Sequence, residues 1–405
     1  MSSSTGNAFA NGPLTGLRVL ELGTLIAGPF CGQLMADFGA EVIKVEPPGS
    51  GDPMRQWGKR SEDGKPLWWP VIARNKKSVT LDLRQSEGQA MLRRLVEQAD
   101  ILIENFRPGT LEKWNLGWDV LSAANPKLIM VRVSGYGQTG PYAGQPSFGV
   151  IGEAMGGLRY IVGDPSAPPS RVGISIGDTL AATFGCLGAL AALNVRHATG
   201  RGQIVDSALY EAVLNVMESL IPEYDKTGFI RERNGAILPG IAPSNVYATA
   251  DGMVLIGANQ DGVFARLCKA MGEESLASSA EYATHNARGQ RQGELDERIE
   301  RWTRGRPTKE VLALMREHGV PAGLIYRAPD MLADPHFQAR EAIVSVAHPD
   351  FGELRMQNVA PKLSATPGRI RQPSPTLGQH NGEVYGGLLG LDAAALEGLQ
   401  QQGIV

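Results

Sequence analysis

Residues 17–45 read LRVLELGTLIAGPFCGQLMADFGAEVIKV. Leu17–Leu22 is a short apolar run rich in strand formers, and Gly23 follows it. Ala27, Phe30, Cys31, Leu34, Met35 and Phe38 then fall at i, i+3, i+4, i+7, i+8 and i+11, the spacing of one helical face. Pro29 suits the first turn of that helix and Gly39 its end, so the spacing predicts a helix over 28–38. Val42–Val45 (VIKV) reads as the next strand. Strand, helix and strand in this length make a βαβ unit, which requires a parallel pair.

The pattern continues outward. Ser86 is a candidate cap for a helix carrying Met91, Leu92, Leu95 and Val96, followed by a strand at 101–103. A helical stretch over 119–124 leads to a strand at 128–133. Val79–Leu83 alternates as a strand does, and 204–205 opens another before a helix over 209–220. Alternating strands and helices predict a parallel sheet covered on both faces. The stretch 179–195 is apolar all round, which places it inside the fold or under a partner subunit. After Ile221 the composition changes. A strand at 253–257 and helices near 262–271, 293–303 and 308–318 predict a second, smaller domain. Strands at 343–346 and 354–359 and a proline-rich run then predict a tail returning to the first domain. The expected organisation is a disordered tail at 1–12, a large domain at 13–222, a small domain at 223–330 and a returning segment at 331–405.

Composition narrows the function classes. The chain has 405 residues with 42% apolar and 20% charged side chains, ordinary for a protein with a large core. Its net charge of −3 comes without a block of like charges, which argues against nucleic-acid binding through phosphate neutralisation. Met1–Gly12 lacks the basic and apolar regions of a secretory signal, and the 17 uncharged residues at 179–195 fall short of a bilayer span. Cys31, Cys186 and Cys268 form no CxxC motif, which suits a reducing, cytoplasmic setting. All six histidines lie at or after His197 and none has metal-ligand spacing. There is no GxSxG elbow and no P-loop, and no GxGxxG follows the first strand.

Several stretches carry two readings each. Gly23–Pro29 is either a tight strand–helix turn or an anion site at a helix N-terminus. Arg74-Asn-Lys-Lys-Ser78 is either a solvated basic turn or a phosphate contact. Glu104–Gly109 ends a parallel strand, where α/β sheets place their ligands, and is either a site at which Asn105 and Arg107 bind an amide or a phosphate or a turn with a polar cap. Asp178, after Val172–Gly177, is either the N-cap of the apolar helix or a carboxylate nucleophile beside the permissive Gly177.

Taken together these residues resemble class III CoA-transferases. The resemblance is carried by AGPFCGQLMADFGAEVIKVEPPGSGDPMR (27–55), ARNKKSVTLDLR (73–84), ENFRPGTLEKWNLG (104–117), SGYGQTGP (134–141), GISIGD (173–178) and TGRGQIVD (199–206). IAPSNVYATADG (241–252), GVPAG (319–323) and LGQHN (377–381) extend it from about Pro13 to the C-terminus. It implies an α/β fold: a Rossmann-like large domain built from both ends of the chain, a smaller α+β domain between them, and an interlocked homodimer. It implies Asp178 as the nucleophile that exchanges CoA between acids through covalent aspartyl intermediates. Coenzyme A enters as substrate, with no prosthetic group and no metal.

The resemblance also assigns CoA contacts. Ile26 and Ala27 match the turn at the pantetheine and thioester end, and Leu81, Asp82, Leu83 and Arg84 the segment holding the adenine nucleotide. Asn105, Phe106 and Arg107 match the strand-end contact, and Lys113 a phosphate ligand. Pro47 stands where some members have a phosphate-binding arginine, which makes Arg74, Lys76 and Lys77 the candidate replacements. Residues 146–149 (PSFG) replace a more polar stretch, and the 234–240 loop stands where some members have a glycine-rich lid. The implied partners are an acyl-CoA donor, of dicarboxylic type, and a carboxylic acid acceptor. Arg171, Arg231 and Arg233 are either surface residues or partners for a distal carboxylate. α-Methylacyl-CoA racemases share the same core, but 145–150 lacks the histidine that their acid–base pair needs. A non-catalytic CoA-binding relative is the remaining alternative.

Overall fold

The computed structural model describes residues 11–405. The tail expected at 1–12 therefore lies largely outside the described residues. Its last two residues are held in place: Arg371 Nη1 donates to Asn11 O at 2.9 Å and Thr15 Oγ1 to Gly12 O at 2.7 Å.

The chain forms two compact units. One holds the residues up to Arg159 together with Val172–Pro222 and Gln338–Val405, and the other holds Tyr160–Arg171 and Glu223–Phe337. The first is an α/β unit around β1 (Arg18–Glu21), β2 (Glu41–Glu46), β3 (Lys76–Thr80), β4 (Ile101–Glu104), β5 (Ile129–Ser134) and β6 (Ile204–Ala208). These six strands are parallel and lie in the order β3-β2-β1-β4-β5-β6. The sheet reverses direction of growth between β1 and β4, which opens a crevice at their carboxyl ends.

The expected βαβ unit is present, with α1 at Ala27–Asp37. Val19, Val42, Ile101, Ile103, Val131 and Val133 bury one sheet face under α1. The other face, with Leu20, Ile43, Leu102 and Met130, is covered by α2 (Ser86–Val96), among others. Ser86 begins this helix rather than capping it, since Gln85 is the N-cap. α3 (Thr110–Lys113), α4 (Trp118–Ala124) and α5 (Gly149–Met155) follow, then α6 (Ile176–Thr199), and α7 (Leu209–Asn215) after β6. The helix read as 209–220 thus stops at Asn215.

α6 is longer than 179–195 and is buried on one face only. Ala181, Gly185, Ala189 and Ala192 face the sheet, and small side chains let the axis lie close to it. A methyl on Gly188 would stand 2.5 Å from Val205 Cγ1. On its opposite side Leu187 is 60% exposed and Leu190 and Val195 are exposed as well. α6 is the one described helix long and apolar enough to cross a membrane by length and composition.

In the second unit, β7 (Ser244–Ala248), β8 (Met253–Gly257) and β9 (Ala322–Gly323) form an antiparallel sheet. It packs with α8 (Asp261–Met271), α9 (Gln292–Arg304) and α10 (Thr308–Glu317) around Tyr247, Phe264, Leu295 and Val311. Arg288 is fully buried here, donating to the carbonyls of Ala242, Tyr282 and Asn259 and to Asp261 Oδ1.

The closing part of the first unit is the hairpin β10 (Ile343–His348) and β11 (Gly352–Gln357), followed by α11 (Asn381–Leu389) and α12 (Ala393–Gln401). The LGQHN motif blunts the free edge of β3, which would otherwise offer unpaired backbone groups. Ser78 N donates to His380 Nδ1 at 3.1 Å, Thr80 N to Asn381 Oδ1 at 2.9 Å, and Tyr385 OH to Thr80 O at 2.7 Å.

The strand read as 79–83 is displaced to Lys76–Thr80, and this corrects the reading of the basic stretch beside it. Arg74 pairs with Asp37 at 2.7 Å and Lys76 with Glu21 at 2.7 Å, all four nearly fully buried. Lys77 bridges Glu41 and Glu383. Arg74 and Lys76 neutralise carboxylates within the fold, so they are neither solvated nor candidates to replace an arginine at Pro47, while Lys77 is a quarter exposed and engaged by two carboxylates.

Candidate active site

The carboxyl ends of β1, β2 and β4 and the chain leaving β3 enclose a cleft of about 270 Å³. Leu81–Arg84 forms one wall, and Phe106 packs edge-on to Trp114 at 5.3 Å in another. Pro47 and Pro48 lie at its side. Of the residues assigned to CoA, Leu81, Asp82, Leu83, Arg84 and Phe106 line this cleft. Thr24, Glu46, Ser50 and Trp114 line it too and were not singled out from the sequence. Their signal was available, since Glu46 ends a parallel strand and the others lie in segments that follow one. Arg84 is the cation in this lining, and its guanidinium grips Asp82 through Nε at 2.8 Å and Nη2 at 3.0 Å. That pairing holds the Asp82 carboxyl below the usual carboxylate range.

The Gly23–Gly28 turn borders the cleft through Thr24. Ile26 and Ala27 are buried whole and do not line the cleft, so in this structure the turn meets it through Thr24. Asn105 staples it: Thr24 N donates to Asn105 Oδ1 at 2.8 Å and Asn105 Nδ2 to Thr24 O at 2.9 Å. Asn105 therefore acts behind the cleft. A methyl on Gly23 would stand 2.9 Å from Gly28 Cα, so both glycines are needed for the chain to double back.

Glu104 fixes the next turn. Its Oε2 accepts from Phe106 N at 2.7 Å and its Oε1 from Arg132 Nε at 2.7 Å. Arg132 also reaches Glu112 on α3 at 2.7 Å. Burial pushes the Glu104 carboxyl up to about 7, with Arg132 opposing the shift. Arg107 Nη2 donates to Gly144 O at 2.6 Å and so ties this turn to the 140s loop. Lys113 ends α3 next to Trp114.

Asp178 lies elsewhere on the same edge of the sheet. It is not the N-cap, because α6 begins at Ile176 with Ser175 as its cap residue, and Asp178 stands in the first turn. The positive end of the helix dipole favours the ionised carboxylate there. Ser207 Oγ donates to Ala181 O at 2.8 Å, which anchors this end of α6 at the carboxyl end of β6. The carboxylate packs on Gly149: a methyl there would stand 2.2 Å from Asp178 Oδ2. The PSFG stretch thus supplies a bare backbone position against Asp178.

The second unit holds the candidate carboxylate-binding arginines. Arg231 pairs with Glu223 at 2.7 Å. Arg233 Nη1 donates to Tyr160 O at 3.1 Å, its guanidinium lies 5.7 Å from the Tyr160 ring, and its Nε is buried without a partner. The 234–240 loop is held by Gly235 N donating to Gly163 O at 3.0 Å and Gly240 N to Gln292 Oε1 at 3.1 Å. Among the described residues no group of three His, Cys, Asp or Glu side chains stands together as a metal centre.

A doubly wound parallel sheet with its cleft at the reversal point is the architecture of nucleotide- and cofactor-binding α/β enzymes. The chain belongs to CoA-transferase family III, whose model matches residues 14–381, and it is a CoA-transferase that takes CoA thioesters as substrate. It is 60% identical to the succinyl-CoA–D-citramalate CoA-transferase of Chloroflexus aurantiacus over 394 residues, 97% of this chain and 98% of that protein. The beta subunit of succinyl-CoA–L-malate CoA-transferase from the same organism is 43% identical, covering 97% of this chain and 98% of that one. Among solved structures, a CAIB/BAIF family protein from Brucella suis matches with a TM-score of 0.81 at 34% identity, over 93% of this chain and all of that one.

Proposed function

We propose that this enzyme moves CoA from succinyl-CoA, or a similar dicarboxylic acyl-CoA, to a small dicarboxylic acid of the citramalate and malate type. The 60% identity to a transferase named for succinyl-CoA and D-citramalate supports the substrate class. The observation that carries the chemistry is Asp178, an aspartate in the first turn of α6 lying on the bare backbone of Gly149. Its carboxylate attacks the thioester carbonyl, the C–S bond breaks, and a mixed anhydride and CoA thiolate form. The thiolate attacks the aspartyl carbonyl, the donor acid leaves as its carboxylate, and an aspartyl-CoA thioester remains. An acceptor carboxylate runs the two steps in reverse. The thioester is never hydrolysed, so no other energy source is required.

In this reading the adenine nucleotide occupies the cleft walled by Leu81–Arg84 and Phe106. Arg84 opens its pair with Asp82 to meet phosphate, taking the part left by Pro47, and Arg107 and Lys113 lie on the segment that carries Phe106. The backbone at Ile26 and Ala27 receives the thioester end. The enzyme works as an interlocked homodimer in the cytoplasm. The outward apolar face of α6 and the exposed Val150, Ile151 and Met155 of α5 support a partner subunit, and the three free cysteines suit a reducing setting. No histidine stands in 145–150 to support proton exchange as in the racemases.

The test is mass spectrometry of the Asp178 peptide after mixing enzyme with succinyl-, glutaryl-, acetyl- or formyl-CoA and quenching with hydroxylamine. A hydroxamate at Asp178 that forms with succinyl-CoA is expected, and its absence from protein that binds CoA would overturn the mechanism.

A further inference from the structure

Beneath the Gly23–Gly28 turn lies a closed set of buried charges that neither the cleft nor Asp178 explains. Lys44 Nζ on β2 donates to Gly23 O at 2.8 Å and Glu21 Oε1 at 3.0 Å, and sits 2.7 Å from Asp52 Oδ2. Glu21 Oε2 lies 2.7 Å from Lys76 Nζ, which also donates to Pro29 O at 2.6 Å. Asp52 reaches the turn itself. Its Oδ1 accepts from Leu25 N at 3.1 Å and from Met54 N at 2.8 Å, and its own N–H is held by Glu46 Oε2 at 2.9 Å. Asp52, Lys44, Glu21 and Lys76 are all at most 1% exposed.

The residue this set grips is strained. Leu25 has φ of +64°, the left-handed region that a side chain with a Cβ disfavours. A leucine stays there only when its surroundings over-determine it, and such strain gathers at functional sites. Here a carboxylate takes the Leu25 N–H from one side while Asn105 takes the N–H and carbonyl of Thr24 from the other. Glu21 requires room of its own: a methyl on Gly32 would stand 1.9 Å from its Oε2.

We infer that Asp52, fixed by Lys44, is a positioning residue for CoA transfer. It holds Leu25 left-handed and so sets the backbone of Ile26 and Ala27 that meets the thioester. This rests on the reading of that turn given under Proposed function. Asp52 touches neither CoA nor acid, so its removal should impair turnover while leaving nucleotide binding at the Leu81–Arg84 wall.

The experiment compares Asp52→Ser with the native enzyme. Serine keeps an oxygen for the Met54 N–H, as a helix N-cap does, but is too short to reach Leu25. Expected are a fall in kcat on the order of tenfold or more, a Kd for CoA within about twofold, and faster amide exchange in the peptide spanning 23–29. Asp52→Asn keeps the acceptor for both N–H groups but turns its amide N–H₂ toward Lys44 Nζ, so it is expected to be less stable than the native enzyme and to lose less turnover, and less protection at 23–29, than Asp52→Ser. A kcat unchanged in Asp52→Ser, or a kcat loss matched by an equal loss of CoA affinity, overturns the inference. If Asp52→Ser does not fold, the test passes to Asp52→Asn, and a folded Asp52→Asn that loses turnover while amide exchange at 23–29 is unchanged overturns the inference. A native enzyme that exchanges CoA with none of the acids defeats the proposed function instead, and the exchange rate at 23–29 still decides whether Asp52 holds the turn.

Discussion

Asp178 occupies the space that a side chain at position 149 would need. A methyl on Gly149 would stand 2.2 Å from its Oδ2 and 2.7 Å from its Cγ. The first turns of α5 and α6 approach closely here, because a methyl on Gly177 would in turn stand 2.8 Å from Gly149 O. Gly149→Ala is therefore expected to push the carboxylate out of place by about an ångström, and misplacement of that size costs on the order of 100-fold in rate. The check is the kcat for CoA exchange beside the thermal midpoint. A folded variant with turnover within about threefold of native would show that the contact does not set the nucleophile.

Glu104 makes stability depend on pH in a defined window. Burial raises its carboxyl from the ordinary 4.5 to about 7, so between those values the folded chain holds a proton that the unfolded chain has released. Its contribution is fully present below about 4.5 and is lost as pH rises through about 7. Glu104→Gln keeps an acceptor for Phe106 N and does not titrate. Urea midpoints of native and variant should diverge progressively from pH 4.5 to 7, with the native protein losing stability relative to the variant. Parallel profiles would assign the titration elsewhere.

Arg132 pairs with both Glu104 and Glu112, and with Glu104 buried the loss of that cation either leaves the carboxylate unpaired or drives it to take up a proton. Arg132→Met should therefore destabilise most above pH 7, where the native Glu104 is ionised, by up to roughly 3–5 kcal/mol, the range for breaking one half of a buried pair. It should also loosen the Phe106 turn, which is read out as a weaker Kd for CoA. Adding Glu104→Gln to Arg132→Met should recover part of the stability above pH 7, since no buried carboxyl is then left to ionise or to take up a proton. No recovery in the double variant would place the cost in lost packing instead.

The elements legible in the sequence were those whose reason is local. The βαβ unit over 17–45 follows from apolar spacing and from Pro29 and Gly39, and β8 falls on Met253–Gly257 as expected. The errors arose where long-range contacts decide. Arg74, Lys76 and Lys77 look like a solvated run, yet β3 is a sheet strand and its lysines meet carboxylates from Glu21, Glu41 and Glu383. Asp178 looks like a cap because the apolar run begins after it, while Ile176 and Gly177 already belong to the helix. Asp52 carried only the local signal of a cap before Pro53, since the residues that give it its further meaning are Leu25 and Lys44.

The two-sided apolar character of α6 yields the last expectation. Its sheet-facing side is filled by Ala181, Gly185, Ala189 and Ala192, which accounts for the small residues but not for the leucines and valine opposite. Leu187 and Leu190 lie outward, and α5, packed on α6, turns out Val150, Ile151 and Met155. Apolar surface spread over two packed helices of an α/β fold marks a contact with another chain. If that chain is a second copy, Leu187→Lys on a helix surface already facing outward will fold, and Leu187→Lys/Leu190→Lys will weaken the dimer strongly. Light scattering during size-exclusion chromatography reads the mass directly. The native protein should run at twice the chain mass of 43.3 kDa and the double variant should shift toward one chain. Native protein that is monomeric at every concentration tried would remove the homodimer, and with it the explanation offered for those side chains.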